Sequence, residues 1–175
     1  ILFVTGIIFG ISTWAYVLGV QKVGPIGTAI ALQAYPLFSI LWESLFLRRR
    51  KTKIELAFTA MLVAVMYFLA TGGTWRFDGL SVWFLLALGV PFLWSIAHVI
   101  LKEVLDNSPI TPAQITFFRV VVPTLLLGVV VLLRGDRGAL IAGFQNLDLQ
   151  KVALVMGLVY YVELVTWFYA MRSIP

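Results

Sequence analysis

From Ile26 to Leu47 the chain runs almost unbroken in apolar residues, interrupted by Gln33, Pro36 and Glu43, and then reads Arg48-Arg49-Arg50-Lys51-Thr52-Lys53. A helix needs about 20 residues to cross the hydrocarbon of a bilayer, so the apolar part is a spanning segment. The basic part places five Lys/Arg in six positions before the next apolar run. A short loop of that kind stays cytoplasmic and orients the helices on either side of it. Composition agrees with a multi-pass membrane protein. The hydrophobic fraction is 61%, charged residues are 12% and mean hydropathy is +0.99. A soluble domain is roughly half apolar and a quarter charged.

Six apolar segments follow in order: Ile1 to Val20, Ile26 to Leu47, Ile54 to Thr71, about Leu80 to Leu101, Ala113 to Leu133, and Val152 to Met171. Alternating polarity is nowhere sustained, so the expected architecture is an all-α polytopic bundle and not a barrel. The first segment lacks the basic leader and small-residue cleavage site of a signal peptide. With the basic turn inside, residues 1 and 175 are also inside. Inside flanks then carry seven Lys/Arg, the turn plus Lys102 and Arg172. Outside flanks carry five: Lys22, Arg76, Arg134, Arg137 and Lys151.

Several chemistries are excluded. The net charge of +5 is concentrated in the one basic turn, and no basic patch interleaved with exposed aromatics exists elsewhere, so nucleic acid is not an expected partner. Cysteine is absent, which removes disulfides, thiol catalysis and thiolate metal sites, and the single His leaves His-based metal or triad chemistry little to build on. No nucleotide loop, metal spacing or Ser/His/Asp constellation is found. Neither an enzyme nor a cofactor is expected.

The informative residues are polar groups inside apolar helices, each of which must face protein or water. On the second segment Gln33, Pro36, Ile40 and Glu43 share a face at helical period. Glu43 reads as a coupling candidate or as a carboxylate paired with the basic turn or Arg119. Pro36 frees a carbonyl one turn back, for a substrate or only for a kink. On the fourth segment Trp94, His98 and Lys102 stack at spacing four, His98 being a proton-site candidate or a satisfied partner near a helix end. Arg119, on the fifth, is expected to serve as a structural charge pairing with Glu43 or Glu103. Tyr160, Glu163 and Trp167 share one face of the sixth, with Glu163 about 12 Å from the nearer end. An apolar setting opposes charging of a carboxylate, so a buried Glu163 can exchange a proton or hold a substrate amine; a neutral Glu bonded between helices is the alternative. Gly6 and Gly10 form a GxxxG for close helix approach, within the chain or, as the alternative, in a homodimer. Trp75 and Trp83 are interface anchors. The Arg134–Lys151 connection reads as a short amphipathic piece on the outer surface.

Two helix endings look alike: Tyr16-Val17-Leu18-Gly19-Val20-Gln21-Lys22-Val23-Gly24 and Trp167-Phe168-Tyr169-Ala170-Met171-Arg172-Ser173-Ile174-Pro175. Five helices separate them, so they face opposite sides, as in an inverted-topology repeat. The run Gly24-Pro25-Ile26-Gly27-Thr28-Ala29, then Tyr35-Pro36-Leu37-Phe38 and Leu45-Phe46-Leu47, resembles the EamA-like repeat of the drug/metabolite transporter superfamily. Gly89 through Trp94, Val99, Lys102, the Pro109–Pro112 turn and Phe117-Phe118-Arg119 look like the start of a second copy. One departure is clear: where the family carries Gly-Glu-Arg after Leu-Phe-Leu, this chain has Arg48, Arg49 and Arg50.

The resemblance implies a ten-helix fold of two inverted five-helix repeats. Residues 1–78 would be the last three helices of the first repeat and 79–175 the first three of the second, with two further spans before residue 1 and two after residue 175. It implies a transporter exporting or exchanging a small metabolite or drug-like solute by alternating access, in the plasma membrane and, for a bacterium, the inner membrane. The aromatic, weakly charged faces suit a neutral or amphipathic solute. A non-transporting scaffold or assembly subunit is the alternative, and it would lack convergence of polar residues from several helices.

Overall fold

The structure, a computed structural model, describes residues 1–46, 52–76, 81–135 and 137–173. The basic run at 48–51, on which the orientation rests, lies outside the described residues, as do Leu47, Leu80 and the end of the loop after the third span. Among the described residues there are eight helices: α1 (Leu2–Val23), α2 (Pro25–Leu32), α3 (Tyr35–Phe46), α4 (Lys53–Ala70), α5 (Val82–Asn107), α6 (Pro112–Leu133), α7 (Arg137–Gln145) and α8 (Leu147–Ser173). Among the described residues there is no strand. Six segments of the described residues, with α2 and α3 counted together, are long and apolar enough to cross a membrane. The chain is an all-helical, multi-pass membrane protein.

Local chemistry sets the boundaries. Gly24 ends α1 at φ +89°, a conformation without penalty only for glycine, and Pro25 opens α2 where no N–H is needed. Thr52 and Glu55 form a reciprocal capping box at the start of α4, as do Thr111 and Gln114 at α6. Two helices outrun the apolar segments that predict them. α5 continues to Asn107 because Lys102 pairs with Asp106 at 2.9 Å and Asn107 bonds back to Glu103, carrying the helix into the polar boundary. α8 begins at Leu147, capped by Asn146, whose Oδ1 accepts from the Leu149 N–H at 3.0 Å. The connection after α6 contains α7, tied to α8 by the Gln150 amide donating to Gly143 O at 3.0 Å.

By contacts the chain forms two units, residues 11–100 and residues 1–10 with 101–175. This grouping concerns packing. The division at 78/79 concerns repeats, and the one is no measure of the other. In the first unit Ala31, Phe84 and Ala87 form a small core with Val23, Ile30, Ala70 and Leu88 against it. In the second, Phe9, Leu101, Leu105, Ile115, Leu164 and Phe168 are buried, and α6 packs along α8. Gly6 and Gly10 lie against α6. A Cβ on Gly6 would sit 2.6 Å from Val122 Cβ, and one on Gly10 would sit 3.4 Å from Pro123 Cα. The GxxxG is therefore used for packing within the chain.

Two contacts agree with six alternating crossings. Lys22, ending α1, lies 5.3 Å from the ring of Trp83, which begins α5. In the other unit Lys102 donates to Met171 O at the end of α8, at 2.9 Å. Each joins chain positions that the crossing count puts on the same side. With the 48–53 turn cytoplasmic, a cysteine at Thr52 is expected to resist an impermeant thiol reagent in intact cells while one at Thr74 reacts. The opposite labelling would invert the topology.

Candidate functional site

The second span is not one helix. α2 stops at Leu32, Gln33 and Ala34 form a turn, and α3 restarts at Tyr35. Proline explains this locally. Pro36 has no N–H to give to Leu32 O, and its ring crowds that carbonyl. The Gln33 and Ala34 N–H groups bond three residues back, to Ile30 O and Ala31 O at 3.1 Å, and the Leu37 N–H bonds Ala34 O at 3.0 Å. The chain thus tightens through two residues in the middle of a span. Pro36 then occupies the second position of α3, inside the first turn where the missing N–H costs nothing. The single face expected for Gln33, Pro36, Ile40 and Glu43 is interrupted at its first member, because the turn resets the register.

After the break α3 turns a different stripe toward α5. Tyr35, Phe38 and Trp42, at spacings three and four, meet Phe92, Ser95 and His98. The Tyr35 hydroxyl and His98 Nδ1 share a hydrogen bond of 2.9 Å, with the rings edge to face at 5.5 Å. Trp42 Nε1–H donates to Ser95 Oγ at 2.9 Å, and that hydroxyl donates to Phe92 O at 2.7 Å. Phe92 lies edge-on between Phe38 and Trp42, at 5.4 and 5.1 Å. Next to Ser95 on α5, Trp94 Nε1–H donates to Ser12 Oγ of α1 at 2.8 Å. Ser12, Ser95 and His98 are buried. Three helices are therefore joined by a seam of aromatic rings and neutral hydrogen-bonding groups beside the break.

Magnitudes say what such a seam can do. A side-chain hydrogen bond between membrane helices averages about 0.6 kcal/mol, because the separated helices also find partners. Three of them together hold roughly 2 kcal/mol on that scale. Two of the three, about 1.2 kcal/mol together, orient α3 on α5 and the third ties α5 to α1, so thermal motion can undo the α3–α5 contact. His98 is not near a helix end: the extension of α5 to Asn107 places it well inside, where burial without a polar partner would be costly.

The remaining candidates lie elsewhere. Glu43 is half-buried, next to Trp42 on α3. Gln33 is exposed at the break. In the other unit Arg119 is half-buried, its guanidinium centred 4.0 Å from the Phe9 ring and 5.8 Å from that of Phe168. Its Nη2 lies 3.5 Å from Tyr160 Oη. Aromatic faces thus share in holding this charge within the span. Glu163 departs from expectation. It is exposed and makes no hydrogen bond or ion pair among the described residues. The buried stripe of α8 is Leu164 and Phe168, in line with Tyr160 at spacing four, and Glu163 stands one position round from it. Tyr160 and Trp167 are each close to half exposed beside it.

Sequence reasoning missed Tyr35, Trp42, Ser12 and Ser95. The available signal was slight: an indole or phenol in an apolar span requires a partner when buried, and serine is the smallest side chain that supplies one. Among the described residues no group of three or more His, Asp or Glu is placed to hold a metal ion. No family model, curated protein or solved structure matches the chain.

Proposed function

We propose that this chain is part of a membrane transporter of the drug/metabolite type, with ten helices in two inverted EamA-like repeats. It exports or exchanges a small neutral or amphipathic solute across the plasma membrane by alternating access. The observation that carries the reading is the mid-span break at Gln33–Ala34 with the Tyr35–His98 and Trp42–Ser95 bonds beside it. Irregular backbone at membrane depth is tolerated where it is covered by protein or lines a cavity, and transporters use discontinuous helices at their sites. Bonds of about 0.6 kcal/mol each suit a seam that separates in one access state and re-forms in the other. The scaffold reading draws on the close Gly6/Gly10 packing, but it gives no role to a polar seam across α1, α3 and α5.

The test is transport by the full-length protein in liposomes, with and without a pH gradient, over a panel of neutral amphipathic solutes. Flux above protein-free vesicles is expected. Tyr35→Phe should lower it roughly threefold, the equivalent of one hydrogen bond between membrane helices of about 0.6 kcal/mol, without loss of folded protein. Glu163→Gln should insert normally and lose the response to the gradient, the outcome that assigns coupling to this side chain. Absence of flux for every solute would favour the scaffold.

A further inference from the structure

On the side of the break served by α4, a groove of about 320 Å³ opens between α2 and α4. Ile30, Leu62, Met66 and Leu69 form much of its wall, and Gln33 enters it from the break. Among the described residues lining it, Gln33 is the one with a polar side chain. The volume lies at the low end of the range for small-molecule pockets, which combine an apolar lining with very few polar groups.

We infer that this groove binds a neutral amphiphile, an apolar body carrying one alcohol or amide group, with the polar group on Gln33 and the body along α4. Two observations select this class. The lining holds no charged side chain, so an ionic head would be desolvated without a counter-charge. The Gln33 amide both donates and accepts, matching an alcohol or amide in either role. A bare hydrocarbon would leave the amide unused, and a multiply polar solute would find no partners along Leu62, Met66 and Leu69. The groove is separate from the Tyr35–His98 seam, and its occupancy is read without transport, so either idea can fail alone.

The experiment uses the full-length protein in nanodiscs and two photoprobes, a diazirine-bearing octanol and the matching diazirine-bearing octane, with labelled residues located by mass spectrometry. The alcohol is expected to label the Leu62–Leu69 stretch saturably, with excess unlabelled octanol competing, and several-fold more strongly than the hydrocarbon. Gln33→Leu should reduce that preference to near unity, and Leu62→Trp, which fills the groove, should remove the labelling with both probes. Equal labelling by the two probes, unchanged in Gln33→Leu, would make the groove a lipid-chain contact only. Absence of labelling in the unmodified protein would mean that protein covers it. Either result overturns the inference.

Discussion

Gly6→Leu is expected to abolish recovery of folded protein, the largest structural effect of any single substitution considered for this chain. The first carbon alone explains it. A Cβ at Gly6 would fall 2.6 Å from Val122 Cβ and 2.8 Å from Val122 Cγ1, both on the stiff, branched part of that side chain. Val122 is itself buried and cannot swing aside. Overpacking of a tight core costs about 1–3 kcal/mol for extra methylenes, and leucine adds several carbons where none fits. Gly6→Ala should therefore already lower the detergent melting temperature, and Gly6→Ala with Val122→Ala should restore much of it. That double-mutant recovery separates a steric cause from a general loss of packing. An unchanged melting temperature for Gly6→Ala would mean that α1 and α6 are farther apart than the geometry here.

Pro36→Ala is expected to move stability and transport in opposite directions. Alanine restores an N–H that can bond Leu32 O, and it removes the ring that crowds the same carbonyl. Proline is about 3 kcal/mol worse than alanine within a helix, so healing the break should stabilise the span by some part of that. A continuous helix from residue 25 to 46 would rotate Tyr35 and Trp42 away from His98 and Ser95, and Gln33 out of its groove. Transport is expected to fall by roughly tenfold or more, equivalent to about 1.4 kcal/mol on the limiting barrier. The two readouts are the melting temperature and proteoliposome flux of the same preparation. Higher stability with undiminished flux would reduce the break to a kink.

These two positions also show what could be read beforehand. The GxxxG at Gly6 and Gly10 is a local pattern whose meaning, close approach of another helix, follows from the missing side chains. Only the partner needed three dimensions. Pro36 is the harder case, because Pro91 and Pro123 also lie inside spans and look equivalent on paper. α5 and α6 run unbroken through theirs. The difference lies in the packing around each proline. The α5 span is 44% buried, with Ala87, Val90 and Ser95 fully enclosed on both sides of Pro91, and α6 is 28% buried with Val122 and Pro123 against α1. The span from Pro25 to Phe46 is 11% buried and α3 holds no buried residue. Where neighbours clamp both flanking turns, a helix tolerates one lost bond. Where they do not, it separates into two helices.

The sequence by itself determined the six membrane-capable segments, since hydropathy and length are sums over residues and need no partner to be evaluated. The Thr52–Glu55 and Thr111–Gln114 caps seen in the structure are local in the same sense, each being complete within four residues. The tertiary structure alone decided which polar groups meet. Tyr35 and His98 are 63 residues apart, Trp42 and Ser95 are 53 apart, and Ser12 and Trp94 are 82 apart. It also decided that Leu164 and Phe168, not Glu163, occupy the buried stripe of α8. Helical periodicity assigns residues to faces with no reference to what those faces touch. Choosing the face that is buried requires the neighbouring helix, and that neighbour is set by packing across the whole chain.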